Sequence, residues 1–173
     1  MDAPKHFLPD GDADTIDQQS LAACCGPAKV IDLTPVQPRK SITIERLTDA
    51  LTRQQLTVES GDRLLLRADW SLRFGCEDYR NALPRISLEL AHWLVAQKVA
   101  MIGVEPLSVA DVNNKQEVTD VHHVLFRGGV AIVEGLTNLS QLGQSIVEFI
   151  ALPLRIVGGD GSPVRAIAIE ASE

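Results

Sequence analysis

A chain of 173 residues has the length of one ordinary domain and can bury roughly 70% of its extended surface. With 45% hydrophobic and 23% charged residues and a net charge of −7, its composition is that of a soluble globular protein, without the clustered cations that a nucleic-acid surface needs. Three cysteines, two of them adjacent, do not make a disulfide framework, and neither a secretory leader nor an apolar run of about 18 residues is evident. The expected setting is a reduced cytoplasm, with no nucleic-acid and no membrane partner.

Residues 8–17, rich in Pro, Gly and Asp, read as a loop. The apolar run 29–33, ended by Thr34-Pro35, predicts a buried strand. In residues 44–56, Ile44, Leu47, Leu51 and Leu56 fall near helical spacing with Glu45, Arg46, Asp49 and Arg53 outward, which predicts an amphipathic helix. A turn at Ser60-Gly61-Asp62 leads into a strand over 63–68. Ser87 suits an N-cap, with Glu89 in the first turn and Leu88, Ala91, Leu94 and Val95 as the apolar face of a helix. A strand is predicted at 99–104, a short helix at 120–126 stopped by Gly128, and a strand at 130–134. The run 113–116 reads as a variable loop. Residues 148–157 are apolar and extended with a break at Pro153, 158–161 form a turn, and 164–169 make the last strand. Strands alternating with helices predict an α/β or α+β arrangement over 1–173 as one domain, without repeats or linkers.

Several side chains are candidates for chemistry. Asp2 and His6 form a D-x-x-x-H pair stiffened by Pro4 and followed by Phe7. Such a pair can hold a metal or pass a proton, or be an ordinary loop with a capping aspartate. His122 and His123 are adjacent, and on a helix they diverge by about 100°, so only one can face a given site. Glu134 closes an apolar strand, where a carboxylate is seldom buried unless paired or metal-bound, although it could also face water. Together these oxygen and imidazole donors suit Zn2+ or Mn2+. The run Gly158-Gly159-Asp160-Gly161-Ser162-Pro163 lacks the Lys-Ser/Thr of a phosphate loop and reads as a tight turn. Cys24-Cys25 has no C-x-x-C spacing and reads as structural, and Trp70 and Trp93 as core, Trp70 alternatively as a pocket wall.

In order along the chain, four blocks carry a resemblance. D-A-P-K-H-F-L-P-D-G, from Asp2, is similar to the second half of an H-x-G-T-H-x-D-x-P-x-H-F signature. Residues 61–67 with Trp70 resemble G-D-x-x-L-x-R…W. Residues 122–126 and 132–139 resemble H-H-x-L-L…I-x-E-x-L-x-N-L, and 151–166 resemble a C-terminal block. The signature is that of the metal-dependent cyclase family, which includes bacterial kynurenine formamidase (arylformamidase, of tryptophan catabolism) and isatin hydrolase.

The resemblance implies a swivelling β/β/α domain assembled as homodimers or larger homo-oligomers. It implies that Asp2 and Glu134 are carboxylates bridging two divalent metals, that His122 is a metal ligand, and that His6 is the proton donor and acceptor. Two metals about 3.5–4 Å apart would activate a water against the carbonyl of a small aryl formamide, cyclic amide or ester. The signature places two histidines before the aspartate, and only Met1 precedes Asp2 here. The expectation is therefore an N-terminally truncated form of the domain with an incomplete binuclear site. It is either a hydrolase with a late-assigned start, acting on a formamide or on a substrate such as isatin or a lactone, or an inactive member that binds a metal or ligand as a scaffold. Where relatives read D-T-P-S, this chain has Glu105-Pro106-Leu107-Ser108.

Overall fold

The computed structural model describes residues 1–8 and 13–171. Its eight strands are β1 (Cys25–Asp32), β2 (Ser41–Ile42), β3 (Arg63–Arg67), β4 (Arg85–Ile86), β5 (Met101–Val104), β6 (Ala131–Val133), β7 (Ile146–Ile150) and β8 (Ile167–Ile169). The helices are α1 (Leu21–Cys24), α2 (Ile44–Arg53), α3 (Asp78–Asn81), α4 (Leu88–Ala96) and α5 (Lys115–Arg127). Six strands form one sheet in the order β6-β5-β3-β1-β7-β8. The first four are parallel to one another, and β7 and β8 add antiparallel strands at the far edge. The short β2 and β4 pair separately, in parallel.

Both faces of the parallel strands are buried, which is why they read as continuous apolar runs rather than alternating ones. Leu64, Leu66, Ile102, Val104 and Ile132 point into a core shared with Leu47 and Leu51 of α2, Leu90 and Leu94 of α4, and Val121 and Leu125 of α5. Leu65, Met101, Val133 and Phe149 point the other way, into a second core closed by Met1, Ala3, Ile16, Leu136 and Leu139. The first residues of the chain are therefore part of a core.

Several predicted elements differ in extent. The strand at 29–33 begins earlier, at Cys25, because Cys25 to Lys29 pair with β7. Helix α2 stops at Arg53, short of Leu56. On α4 it is Leu90, not Leu88, that is fully buried beside Ala91 and Leu94. Helix α5 starts five residues before the predicted 120. Asn114 caps it by accepting from the Glu117 N–H at 3.2 Å, so 113–116 is a turn and a first helical turn rather than a variable loop. The left-handed residue after α5 is Gly129 (φ 73°), not Gly128. Residues 151–157 are not strand, and Leu152, Leu154, Ile156 and Val157 are exposed. The last strand is only Ile167–Ile169. Of the loop predicted at 8–17, residues 9–12 lie outside the described residues, and Ile16 is buried in a short 3-10 turn. Trp70 is core, donating from Nε1 to the Tyr79 carbonyl at 2.9 Å, rather than a pocket wall. No helix among the described residues is long and apolar enough to cross a membrane.

Glu105 follows β5 and is fully buried. Its carboxylate accepts from the Ala68 N–H (2.8 Å), the Trp70 N–H (3.0 Å) and the Ser71 hydroxyl (3.0 Å), tying the end of β5 to the segment after β3. Burial pushes this carboxyl above its ordinary value, against the pull of those three donors. The stability it contributes is therefore full below the ordinary carboxylate pKa and is lost as pH rises through the raised value. A glutamine keeps an acceptor for the two amides and has no proton to lose; its Nε2 would donate to the Ser71 oxygen once that hydroxyl turns. In urea unfolding, Glu105→Ala should cost about 3 kcal/mol by orphaning buried donors. Glu105→Gln should match or exceed the wild type at neutral pH, with a flatter pH dependence. Equal losses for both variants would contradict this account.

Candidate metal centre

In open α/β sheets, ligands bind beyond the carboxyl ends of the parallel strands, and Glu134 stands immediately after β6, at such an end. The residue beside it in space is Asp2. The Asp2 backbone forms isolated antiparallel bridges with Ile132 of β6 on one side and Gly161 on the other, with its N–H donating to the Ile132 carbonyl at 3.2 Å. Met1 and Ser162 exchange two hydrogen bonds (Met1 N to Ser162 O, 3.1 Å; Ser162 N to Met1 O, 2.9 Å), and the Ala3 N–H donates to the Asp160 carbonyl at 2.9 Å. Gly161 permits this approach: a Cβ there would lie 3.2 Å from the Met1 carbonyl oxygen. The glycine-rich run 158–163 thus works as a clamp on the first residues.

Helix α5 brings the third group. His122 is buried, its side chain 2% exposed, and its Nδ1 lies 2.6 Å from the Val118 carbonyl one turn earlier. A carbonyl only accepts, so Nδ1 carries the hydrogen and, in the neutral ring, Nε2 presents a lone pair. That lone pair looks at two carboxylates: Nε2 is 3.5 Å from Glu134 Oε1 and 3.9 Å from Asp2 Oδ2. The Phe7 ring stacks on His122 at 3.9 Å between centroids. His123, turned away as helical geometry requires, holds the chain leading to Phe7 by donating from Nε2 to the Phe7 carbonyl at 2.7 Å.

One donor atom from each of Asp2, His122 and Glu134 lies within 4.8 Å of the others. Glu134 Oε1 accepts from the Val109 N–H at 2.7 Å, a backbone contact that nothing in the sequence announces. Burial pushes the Glu134 carboxyl above its usual range; His122 pulls it down and the neighbouring Asp2 adds to the rise. Two half-buried carboxylates so close to one another repel unless a cation stands between them, and with the histidine the donor set suits a divalent ion. These residues line a cavity of about 230 Å3 together with His6, Phe7, Leu107, Ser108 and Val118. A larger cavity of about 550 Å3 also reaches Glu134, from the side of Leu136, Phe149 and Val164.

His6 is not part of the three-residue cluster. It closes a 3-10 turn, Pro4–His6, on the rim of the smaller cavity, 45% exposed, with Nδ1 3.1 Å from Asp160 Oδ2. Glu105 turns into the protein, whereas Leu107 and Ser108 after it reach the cavity wall. Cys24 is buried and free, and Cys25 is half-buried. The glycine-rich run 158–163 forms a turn, with Gly158 at φ 70°.

The Cyclase family model matches residues 1–111. Over 167 residues the chain is 34% identical to kynurenine formamidase of Bacillus cytotoxicus, an alignment covering 96% of this chain and 72% of that one. Among solved structures it is similar to isatin hydrolase A from Ralstonia solanacearum, with a TM-score of 0.84 and 27% identity, covering 98% of this chain and 70% of that one. It is also similar to a protein described as a potential metal-dependent hydrolase with cyclase activity, with a TM-score of 0.75 and 28% identity over 96% of this chain and 75% of that one.

Zn2+ at a hundredfold excess over its Kd should stabilise the chain by about 2.7 kcal/mol, read as a rise in Tm. His122→Ala and Glu134→Gln should remove that response. Glu134 must lose its proton to act as a ligand, and its carboxyl is held above the usual range, so the response should shrink as pH falls through that raised value. An undiminished rise in Tm in both variants would place the ion elsewhere.

Proposed function

The chain belongs to the Cyclase family, and from that premise we propose that it is a metal-dependent hydrolase of a small amide or ester, an aryl formamide or a related cyclic substrate. Residues 1–173 act as one domain in this reading. Asp2, His122 and Glu134 hold a divalent ion, Zn2+ or Mn2+, and His6 moves the proton. The observation that carries the proposal is His122 Nε2, its other ring nitrogen tied to the Val118 carbonyl, standing 3.5 and 3.9 Å from two carboxylates on the wall of one cavity. The names of these relatives, a kynurenine formamidase and an isatin hydrolase, support the substrate class.

A divalent ion in such a site supplies Lewis acidity, lowering the pKa of a water and polarising a carbonyl. The chain's own residues do the rest. The Val109 N–H and the Val118 carbonyl fix the orientation of Glu134 and His122 before any ligand arrives. Phe7, Leu107 and Val118 offer apolar wall to the organic part of a substrate. His6, on the rim, takes a proton as water adds to the carbonyl carbon, and returns it to the leaving nitrogen or oxygen as the bond to carbon breaks.

The test compares metal-stripped protein with protein reloaded with Zn2+ or Mn2+, using N-formylkynurenine and isatin as substrates. Turnover should require the metal. His6→Ala should lower kcat by about 100-fold or more while leaving the Zn2+-dependent rise in Tm intact. Metal binding without turnover of either substrate would replace this reading with that of a binding protein of the same family.

A further inference from the structure

Asp160 lies 154 residues from His6 in sequence, yet its carboxylate meets the imidazole at 3.1 Å. We propose that Asp160 is a positioning residue for His6: it holds the hydrogen on Nδ1 and so leaves Nε2 as the atom that exchanges protons on the cavity rim. The proposal rests on the reading of His6 as the proton carrier.

The two residues are held in register by bonds that do not involve their side chains. The Asp160 carbonyl accepts from the Ala3 N–H at 2.9 Å, and the His6 N–H donates to the Ala3 carbonyl at 2.9 Å. Ala3 therefore links the two backbones directly. Lys5 Nζ reaches the Gly158 carbonyl at 3.3 Å, and the His6 ring meets the Phe7 ring edge-on at 4.7 Å between centroids. The contact with His6 holds the Asp160 carboxyl below the usual carboxylate range, so near neutral pH it is ionised and only accepts. The hydrogen between the two must then sit on Nδ1. No hydrogen bond to His6 Nε2 is found among the described residues, while the ring lines the cavity that holds Asp2, His122 and Glu134. A carboxylate on one imidazole nitrogen that orients the other toward chemistry is a general device of acid–base sites.

Asp160 is 65% exposed. An ion pair this open adds little to stability, so its removal tests orientation rather than folding. The Ala3–Asp160 link uses only backbone and survives substitution.

The experiment records long-range 1H–15N spectra of the histidine-labelled chain, with and without Zn2+, at about pH 8.5, where ordinary imidazoles are neutral. The His6 signals are identified by their loss in His6→Gln. The wild type should show His6 as the Nδ1–H tautomer, Asp160→Ala should shift it toward Nε2–H, and Asp160→Glu should restore much of the Nδ1–H form. In turnover assays Asp160→Ala should lower kcat about 10-fold with KM nearly unchanged. An Nε2–H tautomer in the wild type, or the same tautomer in wild type and Asp160→Ala, would overturn the proposal. The spectra decide on Asp160 without requiring turnover, so a failure of the hydrolase reading stays distinguishable from a failure of this one.

Discussion

The candidate centre depends on how the first three residues are held. Met1, Asp2 and Ala3 lie between the β6 edge and the turn at 158–162, fixed by the Ile132, Asp160 and Ser162 backbones on either side. Here Met1 and Ala3 are buried, which fixes the Asp2 carboxylate opposite His122. The same clamp sets the path of the chain to Phe7, which stacks on His122 and is held by His123. Loosening the turn would disturb Asp2, the Phe7 ring over His122 and His6 together.

The ends of β5 and β6 show how two carboxylates of similar placement, Glu105 fully buried and Glu134 half-buried, acquire different characters. Glu105 is saturated by two backbone amides and a hydroxyl, so it fastens one loop to another. Glu134 receives one amide and otherwise faces a histidine lone pair and a second carboxylate. Burial raises both. A carboxylate set beside a second carboxylate and a histidine on a cavity wall is a fitting place for a cation.

Much of the fold could be read in the sequence, for identifiable reasons. The parallel strands announce themselves as largely apolar runs, α2 by its periodicity, and α4 by its periodicity and its cap Ser87. The first turn of α5 did not, because its residues Lys115, Gln116 and Glu117 are polar and its start is marked only by the Asn114 cap. In the apolar, extended run 148–157 only the part up to Ile150 is strand; residues 152–157 pair with no strand among the described residues, and most of their side chains are exposed. For the site, the residue types offered Asp2, His6, Glu134 and one of the paired histidines, helical geometry allowed only one of that pair to face inward, and the family resemblance singled out His122. What the sequence could not supply were the partners: the Val109 N–H and Val118 carbonyl are backbone groups, and Asp160 reaches His6 only through the fold.

The central claim is that Asp2, His122 and Glu134 share a divalent ion. Its most direct test is an anomalous difference map from crystals of the chain grown with Zn2+, recorded on both sides of the zinc absorption edge. The account predicts a peak at about 2.0–2.2 Å from an Asp2 oxygen, His122 Nε2 and a Glu134 oxygen. A fully occupied zinc peak elsewhere, with these three side chains drawn together around no ion, would contradict it.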